Sequence, residues 1–152
     1  MTAKIKLYDG IMPVRAHDGD AGFDVFVPRD TVLRSGRQVI DLGFALELPH
    51  GYAATIQPRS GFSVKGMEAM GGSGLVRIDA DVVRGLVDAG YRGHVGVIVK
   101  VSEKYVSRYV LQKGTRIAQM QFVFVPDVVL EESDSLDISN DRGGGFGHSG
   151  TK

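Results

Sequence analysis

The sequence predicts an all-β fold, an antiparallel sandwich or barrel, and three features of the chain point to it. Apolar and polar residues alternate with period 2, as in His94–Val101, where every second residue is valine. Glycine supplies 21 of the 152 residues, about twice the usual share of roughly 7%, which indicates many tight turns. No uninterrupted amphipathic pattern of helical period reaches about 11 residues, so crossover helices are not expected.

Short segments bounded by turn residues fit the strand pattern along most of the chain. They are Lys4–Tyr8, Phe23–Val27, Thr31–Leu33, Gln38–Leu42, Phe44–Leu48, Tyr52–Ile56, His94–Val101, Tyr109–Gln112, Arg116–Val125 and Val128–Leu130. One or two helical turns are expected around Ser63–Met70, with Ser63 as a candidate N-cap. The predicted organisation is a β-barrel domain over residues 1–126, followed by an acidic linker and flexible C-terminal arm over residues 127–152.

Composition narrows the class of protein. Hydrophobic residues make up 43% and charged residues 24% of the chain, which excludes a disordered or fibrous protein. The lack of cysteine excludes a disulfide scaffold, a thiolate zinc site and a cysteine nucleophile. No apolar run nears the roughly 20 residues that span a bilayer, and the first residues do not read as a signal peptide. We therefore expect a cytoplasmic protein without a membrane partner, or one of the nucleus or a viral host's compartments if it is not bacterial.

The charges balance over the whole chain but not along it. Eighteen acidic and eighteen basic residues give a formal net charge of zero, which argues against nucleic acid as a partner. Residues 127–152 hold six of the acids and two of the bases, which leaves the preceding body mildly cationic. A cationic body suits a small anionic ligand better than a polymer.

Pro58-Arg59-Ser60-Gly61 follows a predicted strand and is the first candidate site. Proline fixes the exit of the chain, glycine frees backbone N–H groups, and the arginine and hydroxyl offer donors to a phosphate. An ordinary turn explains the same residues equally well.

The segment Gly85–Gly93 places an acid, Asp88, three residues before an aromatic residue, Tyr91, in a predicted hairpin turn. In a functional interpretation, Asp88 takes a proton from water at the rim of a pocket, and Tyr91 presents a flat face to a sugar or base. The alternative is that Asp88 only caps its own turn, as aspartates in turns usually do.

Two further segments carry candidate residues. Arg116 lies among apolar residues on a predicted strand, and an ion pair with Asp24 on another strand is its expected role. Gln119 on the same strand could donate to a phosphate oxygen, or its amide could simply lie at the edge of the sheet's hydrogen-bond ladder. Near the C-terminus, Arg142 could bind a phosphate and Phe146 could stack on a base, unless this end of the chain is frayed.

Metal ligation by the protein itself is not expected. The four histidines have no ligand spacing, and no dense group of carboxylates resembles a cation cage. A metal that takes part would arrive with the phosphates of a substrate.

Taken in order, these motifs resemble the five motifs of the trimeric all-β dUTPases, the dUTP nucleotidohydrolases. The matching segments are Asp20–Asp24, Pro58–Lys65, Gly85–Gly93, Lys113–Met120 and Arg142–Gly150. The resemblance covers nearly the whole chain and implies a jelly-roll-like barrel with a glycine-rich C-terminal arm. It also implies hydrolysis of dUTP to dUMP and pyrophosphate, which limits uracil incorporation into DNA and supplies dUMP for thymidylate synthesis.

The resemblance implies roles at matching positions. Asp88 would activate the water that attacks the α-phosphorus, and Tyr91 would pack under the deoxyribose. The other implied substrate-binding residues are Arg59, Ser60, Gly61, Leu86, Val87, Gln119, Arg142, Phe146 and Gly147. Asp24 and Arg116 would be structural partners near the site. Mg²⁺ would be held by the substrate's phosphates and water, and the chain would form a homotrimer that shares its C-terminal arm between subunits.

The chain departs from the family pattern at three places. The stretch between Lys65 and Asp88 is longer than usual, so residues 66–84 form an insertion, beginning with a flexible Gly/Ser stretch, to which no function is carried over. The last motif is one residue short between Arg142 and Phe146. Thr115 stands where the family often has an acid.

Two other functions are open on the same fold. A nucleotide-gated binding or regulatory protein would use the pocket as a sensor and residues 66–84 as its partner surface. A dCTP deaminase of the same superfamily would need a glutamate base, and the two nearest glutamates, Glu68 and Glu103, match no motif.

Overall fold

The computed structural model of the chain describes residues 1–102 and 108–145, and within these ranges the fold is all β apart from one short helix. The elements are β1 (Lys4–Leu7), β2 (Gly22–Phe26), β3 (Thr31–Leu33), β4 (Gly36–Glu47), β5 (Tyr52–Gln57), α1 (Ser60–Lys65), β6 (Met67–Gly71), β7 (Gly74–Ile78), β8 (Ala80–Val83), β9 (Gly85–Val87), β10 (His94–Val101), β11 (Tyr109–Leu111) and β12 (Arg116–Phe124). The predicted fold class is confirmed.

The described strands form three four-stranded antiparallel sheets around a common core. Their orders are β1-β4-β10-β8, β3-β11-β6-β7 and β2-β12-β5-β9. The four alternating valines of β10 are all at most 2% exposed, so the period-2 pattern does mark a core face. Phe44 and Leu42 on β4 are fully buried in the same core. The third sheet, which we call the site sheet, carries five of the candidate residues, namely Asp24, Leu86, Val87, Arg116 and Gln119.

The helix lies earlier than the sequence predicted. It spans Ser60–Lys65 rather than Ser63–Met70, and Arg59 rather than Ser63 is its N-cap residue. Gly66 ends it with φ +81°, and a Cβ there would lie 2.5 Å from the Ile78 carbonyl oxygen. The residues that follow are taken by strand pairing instead of helix, because β6 pairs with both β7 and β11.

The insertion at residues 66–84 is built of strands. β6 and β7 form a hairpin whose pairing runs from Met67 opposite Ile78 to Gly71 opposite Gly74, so the Gly/Ser stretch is its turn. β8 then joins the first sheet beside β10. The expected strand at Val128–Leu130 is absent, since residues 125–130 have neither helix nor strand and the three side chains are 65–93% exposed.

The core should be sensitive to truncation of its largest buried ring. Phe44→Ala should lower the free energy of unfolding by about 3–5 kcal/mol, because the fully buried ring leaves a cavity that β4 cannot close. Urea unfolding measures the change. Val39→Ala on the same strand is the matched control, since Val39 is 69% exposed, and it should cost less than about 1 kcal/mol. Equal losses for the two variants would contradict this view of the core.

Candidate active site

A buried carboxylate shared by two arginines lies at one end of the site sheet. Asp24 on β2 is 3% exposed, and its two oxygens face different guanidinium groups. Arg116 Nη1 donates to Asp24 Oδ2 at 3.3 Å, which is the ion pair expected from the sequence. Arg59 Nε lies 3.2 Å from Asp24 Oδ1 as an ion pair without hydrogen-bond alignment. This second partner was not expected from the sequence.

A β-bulge aims Arg116 at this carboxylate. The pairing of β12 with β2 shifts register between Arg116 and Ala118, so Arg116 lies opposite Phe26 while Gln119 lies opposite Asp24. Without the extra residue, positions 116 and 119 would face opposite sides of the sheet, because side chains alternate along a strand. The bulge therefore puts Arg116 and Gln119 on the face that Asp24 occupies.

The phosphate-loop candidates lie at the same end of the sheet. Arg59 stands between the end of β5 and the start of α1, which Ser60 and Gly61 begin, and both of these residues are exposed. Gln57, the last residue of β5, is opposite Gln119. The structure thus brings Arg59, Ser60, Gly61 and Gln119 to one edge.

The turn after β9 holds the candidate acid. The Tyr91 N–H donates to the Asp88 carbonyl oxygen at 3.0 Å, so backbone atoms close this turn. Among the described residues the Asp88 carboxylate has no hydrogen-bond or ion-pair partner, and it is exposed. The alternative that Asp88 caps its own turn is therefore not what the structure contains.

Tyr91 is held against the backbone that follows it. Its hydroxyl donates to the His94 carbonyl oxygen at 3.1 Å, and its ring is 47% exposed. A Cβ at Gly93 would lie 2.5 Å from that hydroxyl, so only glycine leaves room for the ring in this position. Leu86 and Val87 precede the turn on β9, with Leu86 exposed and Val87 buried.

A hydrogen-bonded pair that was not expected from the sequence lies beside this turn. His94 Nδ1 is 3.0 Å from Asp41 Oδ2, and the His94 ring lies 4.5 Å from the Tyr8 ring. Burial alone would raise the pKa of Asp41, but the hydrogen bonds from His94 and from the Gly43 N–H outweigh it and lower that pKa. Asp41 is therefore an anion at neutral pH. Only the register of β4 with β10 reveals the pair, since 53 residues separate its members.

The two groups of candidate residues lie at opposite ends of β5. Val87 is opposite Ala54, so Asp88 follows at the level of Ala53, where the two line a common cavity of about 340 Å³. Arg59 comes six residues after Ala53, beyond the other end of the strand. At roughly 3.3 Å per residue, Asp88 and Arg59 of one chain are about 20 Å apart.

A larger open depression of about 500 Å³ lies at the Arg59 end. Arg59, Gly61, Lys65 and Arg116 line one side of it. The hairpin β6–β7 lines the other side with residues that no motif predicted, namely Glu68, Met70, Leu75 and Arg77. The length of the insertion was the one sequence signal for this wall.

The C-terminal arm is described in part. Arg142 is exposed and has no side-chain partner among residues 1–102 and 108–145, whereas Phe146 and Gly147 lie outside the described residues. The described part of the chain also contains no group of three histidine or acidic residues arranged to hold a metal ion. No helix in these ranges has the length and apolarity needed to cross a membrane.

Comparison with known proteins places the chain among nucleotide hydrolases. The dUTPase family model matches residues 9–150. A deoxyuridine 5'-triphosphate nucleotidohydrolase of Clostridium tetani is 37% identical over 153 residues, covering 98% of this chain and 97% of that protein. The protein of the same name from Thermobifida fusca is 39% identical over 140 residues, covering 91% and 72%. The chain belongs to the dUTPase family.

Solved structures agree with this assignment. The dUTPase of Staphylococcus bacteriophage 80alpha with dUPNHPP superposes with a TM-score of 0.80 at 27% identity, covering 99% of each chain. The dUTPase from phage phi11 of S. aureus, known for a species-specific insert, gives a TM-score of 0.72 at 24% identity, covering 90% of this chain and 99% of that one. The second likeness supports the fold alone.

The Asp24 carboxylate should stabilise the protein more than a surface ion pair does. Asp24→Asn should lower the free energy of unfolding by about 1–3 kcal/mol, because two guanidinium groups lose their buried counter-charge. The loss is at the lower end of the range for buried ion pairs because both guanidinium groups are partly exposed. Urea unfolding is the measurement.

Glu47→Gln is the matched control for Asp24→Asn. It breaks the exposed Lys4–Glu47 pair of 2.8 Å and should leave the free energy of unfolding nearly unchanged, because exposed ion pairs contribute little. If the Asp24 variant were no less stable than this control, the carboxylate would not anchor the arginines.

Proposed function

We propose that this chain is a dUTP diphosphatase, in which water activated by Asp88 attacks the α-phosphorus of dUTP, so that dUMP forms and pyrophosphate leaves. The observation that carries the proposal is the carboxylate of Asp88, which has no partner within residues 1–102 and 108–145 and lies in a turn that backbone atoms already close. A carboxylate without a protein partner is available to accept a proton from water. Membership of the dUTPase family supplies the substrate.

The proposed phosphate site needs positioning and positive charge rather than a protein nucleophile. Arg59, Ser60, Gly61 and Gln119 would hold the phosphate chain. Asp24 holds the two arginines in place from the buried side. The guanidinium group of Arg59 would therefore bind the phosphates with little loss of side-chain freedom.

The proposed nucleoside site is the turn after β9. Backbone groups of Leu86 and Val87 would read the uracil edge. Tyr91, fixed by its hydrogen bond to His94, would lie under the deoxyribose and leave no room for a 2′-hydroxyl. From the arm, Arg142 would contact the terminal phosphate, while Phe146 and Gly147 would cover the base.

Mg²⁺ fits this site as an ion that binds together with the substrate. The proposed phosphate-binding groups are cationic or neutral, and the two carboxylates nearby, Asp24 and Glu68, are paired with arginines. The phosphate oxygens and water would therefore be the ligands of the ion. When bound, the ion would neutralise charge on the phosphates during attack.

We also propose that the site is shared between copies in a homotrimer. One chain holds Asp88 and Arg59 about 20 Å apart at the two ends of β5, too far for one α-phosphorus to meet both. Bringing the Asp88 end of one chain to the Arg59 end of another removes the conflict. The barrel over residues 1–126 would then form the body of the trimer, and residues 127–152 would form the linker and the arm that crosses between copies.

The proposal places the protein in the cytoplasm, or in the compartment where a virus draws on nucleotides, because the substrate is a free nucleotide. A dCTP deaminase is less well supported, since Glu68 is paired with Arg77 at 2.7 Å and lies on the insertion hairpin. Glu103 lies outside the described residues.

Substrate choice and the role of Asp88 can be tested together. Pyrophosphate should be released from dUTP in the presence of Mg²⁺, with far slower release from UTP, dTTP and dCTP. Asp88→Asn should reduce kcat by about 10²–10⁴-fold, because the general base is lost, while leaving the Kd of a non-hydrolysable dUTP analogue nearly unchanged. Glu47→Gln is the control and should turn over normally. Full turnover by the Asp88 variant would remove it from the mechanism, and ammonia release from dCTP would favour the deaminase.

Sharing of the site predicts complementation between two inactive variants. Chains carrying Asp88→Asn and chains carrying Arg59→Ala, co-expressed in equal amounts, should form trimers in which about a quarter of the sites have both native residues. The measurement is dUTP turnover per site, relative to the native protein.

A chain that carries both substitutions, co-expressed equally with the native chain, is the matched control. It should retain about a quarter of the activity if sites are shared, and about half if each site belongs to one chain. Lack of any recovery in the first mixture would show that one chain supplies both residues.

A further inference from the structure

The depression beyond Arg59 has a wall that the dUTPase motifs do not explain. Lys65 and Arg116 line its inner side, and the hairpin β6–β7 forms its outer side. Near the tip of the hairpin, Met70 is opposite Leu75, which is 58% exposed. One step closer to α1, Glu68 is opposite Arg77, and their side chains form an ion pair of 2.7 Å. The wall thus has an apolar step, the Met70–Leu75 pair, next to a charged step, the Glu68–Arg77 pair.

The depression has an excess of positive charge. Its cations are Arg59, Lys65, Arg77 and Arg116. Two carboxylates offset part of this charge, Asp24 behind Arg59 and Arg116, and Glu68 beside Arg77. Lys65 is exposed and has no ion-pair partner among the described residues. An occupant of this depression should therefore combine negative charge with apolar side chains.

The linker at residues 127–141 has this composition. It carries six acidic residues and no basic one. Its large apolar residues are exposed, and they are Val128 (65%), Val129 (88%), Leu130 (93%), Leu136 (82%) and Ile138 (76%). Five exposed apolar side chains in 11 residues are unusual for a segment that only solubilises, and they indicate contact with another molecule.

We propose that the linker of a neighbouring copy docks in this depression, with Leu136 and Ile138 on the Met70–Leu75 step of the insertion hairpin. The flanking acids Asp134 and Asp137 face Lys65 and Arg77. The proposal rests on the shared site proposed above, because the docked linker would deliver the arm to the phosphate end of another chain. It gives the insertion a role as a guide for the arm.

The dimensions of the linker suit this path. Six residues separate Leu136 from Arg142, which span at most about 20 Å when extended. That length carries the chain from the hairpin tip, past the Glu68–Arg77 pair, toward Arg59 and places Arg142 at the phosphate end. The Asp137 carboxylate accepts the Ser139 N–H at 2.9 Å, and its pKa is lowered by this bond and by the Ser139 hydroxyl, so Asp137 is an anion at neutral pH.

A single tryptophan can report on docking without any assay of activity. The chain has no tryptophan, so Leu136→Trp introduces a single indole into the full-length protein, and this indole can be excited selectively over the five tyrosines. If the linker docks, the emission of this residue should be blue-shifted and its quenching by acrylamide reduced relative to a free linker. Emission and quenching typical of a fully exposed indole, in a protein that is assembled and hydrolyses dUTP, would overturn the proposal.

Charge reversal tests the surface. Arg77→Glu in the Leu136→Trp background should release the indole to solvent, and adding Asp137→Lys should restore protection. Arg37→Glu is the matched control, because Arg37 is exposed on β4 and does not line the depression, and it should leave the indole protected. Release by the control as strongly as by Arg77→Glu would reduce the effect to net charge and contradict a specific dock.

Mixed assemblies test which copy supplies the linker. Chains with Leu136→Trp, co-expressed with an excess of Arg77→Glu chains, should lose protection, because their linkers now meet altered hairpins. Unchanged protection would mean that the linker docks on its own chain and would overturn the assignment to a neighbour. Failure of the enzymatic proposal is recognised separately, since a protein with a protected indole and no dUTP hydrolysis would retain the dock and lose the function.

Discussion

The candidate site depends on the interaction of the Asp24 carboxylate with two guanidinium groups. The carboxylate joins three segments that are distant in sequence, since it comes from β2, Arg59 follows β5, and Arg116 begins β12. Burying one carboxylate between two guanidinium groups leaves a net positive charge directed at solvent. A hydrophobic cluster could hold these strands together equally well, but it would not orient cations toward an anionic ligand. The same group thus stabilises the sheet and organises the charge at its edge.

The geometry of β5 sets the second constraint. A strand of six residues separates the turn that holds Asp88 from the loop that holds Arg59, and the backbone pairing of β5 with β9 and β12 makes that separation rigid. No rotamer change can close about 20 Å. Under the proposed mechanism a single chain could not bring both residues to one substrate, so assembly belongs to that mechanism and is more than a means of protecting sheet edges.

Much of the fold could be predicted from the sequence, because half-buried strands leave a period-2 trace. Val95, Val97, Val99 and Val101 show it plainly, and all four are buried. The helix was misplaced because a strand partner outweighed local preference from Met67 onward, and no local pattern reports a partner. For the same reason no local pattern indicated the Asp41–His94 pair or the second arginine on Asp24. The roles of Asp88, Tyr91 and the arm remain predictions.

The insertion and the linker acquire a common explanation when they are considered together. A hairpin with an exposed leucine, and a linker with exposed aliphatic residues among acids, would each be a liability on a monomeric chain, because apolar surface promotes association. Each becomes useful when the other covers it, and opposite charges give the contact a register that apolar burial alone does not supply. A long arm that must find a distant site loses conformational freedom as it orders. A dock partway along its path would divide that loss into two smaller steps, so the final closure over the phosphates would have to order only the glycine-rich end.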